Sequence, residues 1–207
     1  MDHHVKDNAA INTLFPVFLK LEQLRVLLVG GGNVALEKLG AMIGNAPETP
    51  ITLVATTITK QLREFSADYP KIHLIERPFE ENDLNKADLV IVAVNDTQVS
   101  SRIKSLANQK NLLVNVADQP ALCDFYLGSI VQKGDLKIAI STNGKSPTIA
   151  KRLKEVFQEL IPDSFNQILQ QMSRIRSKLK GDFANKVEKL NEITKELSQS
   201  ESAQGPY

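Results

Sequence analysis

The chain is 207 residues long, enough for one full domain with an appendage or for two small domains. Its 25 lysines and arginines against 24 acids leave a formal net charge of +1, which excludes a global field that draws nucleic acid or a membrane surface. One cysteine, Cys123, excludes an intrachain disulfide framework, and no apolar run approaches the roughly 20 residues that span a bilayer.

The opening residues, Met1-Asp2-His3-His4-Val5, lack the apolar core of a signal peptide, so the chain reads as cytoplasmic. Residues 1–12 are polar and expected to be loosely ordered, with His3 and His4 solvated rather than holding a metal. The apolar run Thr13-Leu14-Phe15-Pro16-Val17-Phe18-Leu19 suggests a first strand or a segment that covers a sheet edge.

Val26-Leu27-Leu28-Val29 then reads as a short buried strand, Gly30-Gly31-Gly32 as a tight turn, and Val34 onward as a helix. Gly30, Gly32 and Ala35 fall in a G-x-G-x-x-A register, a variant of the dinucleotide fingerprint. The first glycine permits the turn and the second admits a pyrophosphate. The third, small residue packs helix on strand, and the helix N-terminus offers free N–H groups. Val34, Leu36, Leu39, Met42 and Ile43 form a helical stripe up to Gly44, where Asn45 to Pro50 stop it.

Ile51–Ala55 predicts a strand, Thr59–Asp68 a helix ended by Tyr69-Pro70, and the alternation over Ile72–Glu76 another strand with His73 on its polar face. Ala87–Val94 is nearly all apolar, as a central parallel strand covered on both faces must be. A helix over about 98–109 and a strand over Leu112–Val116 follow. Strands alternating with helices point to right-handed βαβ units and a doubly wound sheet. Such a sheet binds its ligand at the carboxyl ends of its strands, which nominates Gly30–Ala35, Thr56, Thr57, Asn95, Asp96 and Asp118. The second strand ends Val54-Ala55-Thr56-Thr57, with neither the acid that reads a ribose diol nor an arginine for a 2′-phosphate. NAD and NADP are therefore not separated at that corner.

Past Gln119-Pro120 the pattern changes. Tyr126–Gln132 and Leu136–Ser141 are β-rich and joined by Lys133-Gly134-Asp135, a hairpin with a three-residue turn. Thr142–Pro147 is a polar loop in which Ser146 caps a helix that has Pro147 at its first position. Helix continues to about Ser198, broken near Pro162 and softened at Gly181. Leu153, Val156, Phe157 and Leu160 form one apolar face; Ile168, Leu169, Met172, Ile175 and Leu179 form another, fit for a core or a subunit interface. Residues 199–207 read as a disordered tail.

Three stretches together resemble a known family: Val29-Gly-Gly-Gly-Asn-Val-Ala35, Asn115-Val-Ala-Asp118, and Ile138-Ala-Ile-Ser-Thr-Asn-Gly-Lys-Ser-Pro-Thr-Ile-Ala150. With the Phe15–Phe18 lead-in, they are similar to the precorrin-2 dehydrogenases of siroheme synthesis over roughly residues 13–180. The glycine turn is unspecific, whereas the S-T-x-G-x-S-P-x-x-A segment after a hairpin is particular. That family includes stand-alone enzymes and the N-terminal module of larger siroheme synthases. The resemblance implies an α/β fold with a Rossmann-like NAD-binding domain over 13–118. A β-hairpin dimerisation region over 119–146 and a small helical domain over 147–198 complete a homodimer.

It also implies oxidation of precorrin-2 to sirohydrochlorin with NAD as cofactor, in some members followed by insertion of Fe²⁺ or Co²⁺. Asp118 takes the family's key aspartate position, as general base. Gly30, Gly32, Asn33, Val34, Ala35, Thr56, Thr57, Val94 and Asn95 take the cofactor positions. Family members commonly lack the acid at the second strand. At 207 residues the chain leaves no room for a methyltransferase. Thr142 stands where a fused relative carries a regulatory serine, which puts that regulation in doubt.

Several positions carry two readings. Asp118 is either the base or a local turn cap before Gln119-Pro120. Ser141, Thr142, Asn143, Gly144 and Lys145 either bind the substrate's carboxylates or only cap the helix. Asp96 and Asp124 read as structural. No His/Cys cluster forms a metal cage, and chelation needs none because the macrocycle supplies the nitrogens. The alternative of another class is a nucleotide-sensing regulatory module, for which the sequence offers no basic recognition helix and no membrane segment.

Overall fold

The computed structural model describes residues 11–179 and 183–198; the expected loose start up to residue 10, the softening at Gly181 and the tail over 199–207 lie outside them. Five strands, β1 (Val26–Val29), β2 (Ile51–Ala55), β3 (Ile72–Glu76), β4 (Leu89–Val92) and β5 (Leu113–Val116), form one parallel sheet in the order β3-β2-β1-β4-β5. Every residue of β1 and β4 is buried, as their unbroken apolar runs require of central strands. The switch in strand order lies between β1 and β4, where an open α/β sheet takes its ligand.

Helices α1 (Asn33–Asn45), α2 (Lys60–Ala67) and α3 (Thr97–Gln109) cover the sheet. Ala35, Leu39, Met42 and Ile43 of α1 and Leu62 of α2 pack with Leu28, Leu53 and Ile91 on one face. Ile103 and Ala107 of α3 pack with Leu27, Val29, Val54 and Val90 on the other. Alternate residues of each strand thus serve opposite layers, which is the period-2 geometry of a strand. Val34 and Leu36 of the expected stripe pack partly buried at its border.

The register aligns the carboxyl ends: Val29 lies beside Val54 and Val92, and Val92 beside Val116. Pairing runs one residue further, through Gly30 N to Val54 O at 2.9 Å, Ala93 N to Val29 O at 2.7 Å and Ala117 N to Val92 O at 2.9 Å. At the opposite rim Arg25 donates from Nη2 to Asp88 Oδ1 at 2.6 Å and from its backbone N to Oδ2 at 2.8 Å. These bonds hold the Asp88 carboxyl far below its ordinary value of 3.8. A depressed carboxyl stabilises the fold above its unfolded pKa, and that contribution fades as pH falls through the folded value. Asp88→Asn is therefore expected to lower the melting temperature at pH 7, with the gap from wild type closing below about pH 4, read by melts across a pH series.

The expected strand over Thr13–Leu19 does not form. Residues 11–20 have no regular structure, and Phe15, Val17 and Phe18 are 85%, 60% and 66% exposed. Pro16 removes a ladder donor, and the run has no alternation to give it a buried face. The hairpin is present as β6 (Ser129–Lys133) and β7 (Leu136–Ile140). Lys133 pairs with Leu136, so Lys133 belongs to the ladder and the turn is the two-residue Gly134-Asp135 rather than three. Gly134 sits at φ +59, and a Cβ there would overlap Asn166, whose Oδ1 accepts from Asp135 N at 3.0 Å.

Ser146 accepts from Ile149 N at 3.2 Å and opens α4 (Pro147–Leu160). The chain breaks at Pro162 before α5 (Phe165–Lys178) and α6 (Phe183–Ser198). Ile149, Leu153, Val156 and Leu160 of α4 are exposed, with Phe157 half-buried, whereas Leu169, Met172 and Ile175 of α5 are half-buried. The chain divides into two compact units: one runs to Leu127 and includes Asn143–Lys145, and the other takes up Gly128–Thr142 and resumes at Ser146.

Candidate functional site: a nucleotide cleft at the strand ends

Between β1 and α1 the three glycines are required for three different reasons. Gly30 has φ +132, and a Cβ there would run into the Ala93 carbonyl of β4's end. Gly31 abuts the Thr57 carbonyl, and its Cβ would stand 2.9 Å from that of Ala55. Gly32, the cap of α1, would place a Cβ with no protein atom within 4 Å. The first two are demanded by the fold. The third leaves open space where backbone can approach a ligand. The first turn of α1 carries no capping side chain and no acid, so its orphan N–H groups and positive helix end are available to an anion. Ala35 is fully buried and fills the close-packing role. These features fit a pyrophosphate.

Gly32→Ala is expected to fold normally, because its φ of −99° and ψ of −164° suit any residue. It should weaken nucleotide binding about tenfold or more, a loss read by calorimetry with an unchanged thermal melt.

The second wall follows β2. Thr56 and Thr57 are exposed, while Ile58 N donates to Glu76 Oε1 at 3.0 Å and Arg63 Nη2 donates to Glu76 Oε2 at 2.6 Å. The Ile58 N–H first, and Arg63 next, pull the Glu76 carboxyl below its ordinary value. Thr59 N donates to Gly31 O at 2.9 Å and ties this loop to the glycine turn. The acid missing from the end of β2 is thus found one strand away, holding backbone. After β4, Asp96 Oδ1 accepts from Gln98 N at 2.8 Å and Val99 N at 3.1 Å, so its carboxylate caps α3, in the structural role expected of it.

These walls enclose a cleft of about 710 Å³, within the range of small-molecule sites. Gly30, Gly32, Asn33, Val34, Thr56, Thr57, Val94 and Asn95 all line it; Ala35 supports it from the core. Sequence reasoning placed Gly31 in the turn without foreseeing its approach to Thr57, and it missed Glu76 and the lining residues Pro78, Phe79, Val99, Arg102 and Ile103. The available signals were an acid ending an alternating strand and an i, i+3, i+4 set on α3.

Asp118 lies on the turn after β5 with φ +57 and is exposed. Its carboxylate makes no hydrogen bond or ion pair among the described residues. Its turn is braced from below. Cys123 Sγ accepts from Val116 N at 3.2 Å and donates to Val116 O at 3.1 Å, and Asn115 Nδ2 donates to Phe125 O at 2.8 Å. Burial pushes the Cys123 thiol up. Asp124 pairs with Lys104 and accepts from Val114 N at 2.8 Å, again a structural acid.

In the loop after β7 the Thr142 hydroxyl accepts from Ser146 N and donates to Ser146 O, each at 3.1 Å. Asn143 at φ 54 and Gly144 at φ 73 are both left-handed, and Lys145 is exposed. Among the described residues no group of three or more His, Cys, Asp or Glu side chains is arranged to hold a metal. None of the described helices is long and apolar enough to cross a membrane.

Residues 17–129 match the family model described as "Putative NAD(P)-binding", and residues 133–159 match the one described as "Sirohaem biosynthesis protein central". The chain is 39% identical over 168 residues to a siroheme synthase of Pseudoalteromonas translucida, covering 81% of this chain and 35% of that protein. It is 35% identical over 165 residues to that of Nitrosococcus oceani, covering 80% and 35%. It thus spans about a third of the length of these relatives. The solved structure of SirC, a precorrin-2 dehydrogenase, superposes with a TM-score of 0.68 at 29% identity, covering 87% of this chain and 89% of that one. The glycine cradle at the switch point and the match over residues 17–129 identify this chain as a member of the putative NAD(P)-binding family, and a segment similar to the central part of sirohaem biosynthesis proteins follows it.

Proposed function

We propose that this chain oxidises precorrin-2 to sirohydrochlorin with NAD⁺. One observation carries the reading: the open phosphate cradle at Gly32 shares the sheet's carboxyl rim with Asp118, whose carboxylate is unpartnered among the described residues. The substrate gives up one hydride and one proton. Bound nicotinamide supplies the two-electron acceptor. Asp118 accepts the proton as general base, Asn33 and Val34 hold the pyrophosphate, and Val94 and Asn95 position the cofactor where it passes β4. Thr56 and Thr57 take the ribose hydroxyls. NAD is chosen over NADP because the residues that follow β2, Thr56 and Thr57, are uncharged and Arg63 is engaged by Glu76, whereas a 2′-phosphate is ordinarily read at that corner by an arginine.

The Ser141–Lys145 loop is assigned to the substrate's carboxylates. Thr142 closes the loop on Ser146, while Ser141, the left-handed Asn143 and Gly144, and Lys145 offer hydroxyl, backbone N–H and charge. A homodimer in the cytoplasm is the working form of this reading. The exposed stripe Ile149, Leu153, Val156 and Leu160 on α4 supports an interface, since its 3–4 spacing is that of a packed helix face.

Anaerobic incubation with precorrin-2 and NAD⁺ tests the proposal through the absorbance of sirohydrochlorin. Bound cofactor without that product overturns it and favours a nucleotide-sensing module. A parallel incubation of sirohydrochlorin with Fe²⁺ or Co²⁺, against the uncatalysed rate, tests metal insertion.

A further inference from the structure

The cleft has one end that the glycine fingerprint does not describe. Besides the glycine turn, Thr56 and Thr57, its lining includes Pro78 and Phe79, which follow β3, and Val99, Arg102 and Ile103 of α3. Ile103 is wholly buried and Phe79 packs in the same cluster, so these walls are fixed by the core. Val99 is 38% exposed and presents apolar surface into the cleft. Arg102 is the only lysine or arginine among the lining residues, and its guanidinium makes no hydrogen bond or ion pair among the described residues. The nearest acid of the lining, Asp96, is spent on the cap of α3.

A dinucleotide laid across the switch point puts its pyrophosphate at the β1 turn and its two nucleosides on opposite sides. The β2–β3 side is the side of Thr56, Thr57, Pro78 and Phe79, and Asn95 and Asp118 belong to the β4–β5 side. Resting on the nucleotide reading above, we propose that the slot between Phe79 and Val99 is the adenine subsite and that the Arg102 guanidinium lies over the base. Adenine is flat, neutral and aromatic. It suits apolar walls, and a planar guanidinium stacks on such a ring whereas a lysine ammonium acts only as a point charge. Arg102 is then a cofactor-binding residue that reads the base rather than a phosphate.

Calorimetric titration of wild type, Arg102→Ala and Arg102→Lys with ADP-ribose, nicotinamide mononucleotide, NAD⁺ and NADP⁺ tests this, with thermal melts as the folding control. Arg102→Ala is expected to weaken ADP-ribose and NAD⁺ about 3- to 30-fold and to leave nicotinamide mononucleotide unchanged; Arg102→Lys should recover only part of the loss. Unchanged ADP-ribose affinity in Arg102→Ala, full recovery by lysine, or a loss confined to NADP⁺ overturns the adenine assignment alone. A wild-type chain that binds none of the four overturns the nucleotide reading itself.

Discussion

Asp118→Asn is expected to bind NAD⁺ within about twofold of wild type while turnover falls 10²- to 10⁴-fold, roughly the span that a positioned general base contributes. The two effects separate because Asp118 does not line the nucleotide cleft and its carboxylate holds no neighbour among the described residues. Asparagine is the informative replacement. At φ +57 the backbone is left-handed, a conformation that asparagine tolerates and that costs an alanine about 1–2 kcal/mol. Asp118→Ala should therefore lose turnover to the same degree and some stability besides. Single-turnover oxidation of precorrin-2 beside NAD⁺ titration measures both. Full activity in Asp118→Asn removes the residue from its role.

Gly31→Ala is expected to damage both the stability and the ligand binding of the first unit. The new Cβ would collide with the Thr57 carbonyl and stand 2.9 Å from the Ala55 Cβ, with rigid strand-end backbone on one side and a buried side chain on the other. Relief requires moving the β2 loop, which Glu76 pins through Ile58 N and Thr59 pins to Gly31 itself. Overpacking of this kind costs about 1–3 kcal/mol, and here it displaces Thr56 and Thr57 from the cleft as well. The expected result is a lowered urea midpoint together with loss of nucleotide binding. Gly32→Ala, one residue on, should show only the second effect. A Gly31→Ala variant as stable as wild type would contradict the close approach of the two loops.

What could be read from the sequence was what local chemistry determines. β1, β2 and β4 are visible as apolar runs because central parallel strands are buried on both faces. The caps at Ser146 and the stop at Pro162 are visible because they depend on neighbours a few residues away. The fingerprint likewise located Gly30 and Gly32. The close packing of Gly31 and the role of Glu76 escaped notice because their partners lie far along the chain: Thr57 is 26 residues from Gly31, and Ile58 is 18 residues from Glu76. The face of α4 was ambiguous for a different reason. An apolar stripe at helical spacing looks the same in sequence whether it meets a core or water, and Leu153, Val156 and Leu160 are open. Phe15 to Leu19 misled in the opposite way, since hydrophobicity without alternation does not specify a strand.

The hydrogen bonds that carry the ladder one residue past β1, β4 and β5, at Gly30, Ala93 and Ala117, have a consequence for how such a chain can change over generations. The loops after β1 and β4 leave the sheet from backbone positions that the ladder has already set, so the first freedom belongs to side chains. Exchanges at Thr56, Asn95 or Arg102 can alter what the cleft accepts while the main chain stays in place. Gly30 and Gly31 cannot be exchanged in that way. Variation in ligand preference should therefore accumulate at the loop side chains, with the frame beneath them inherited intact.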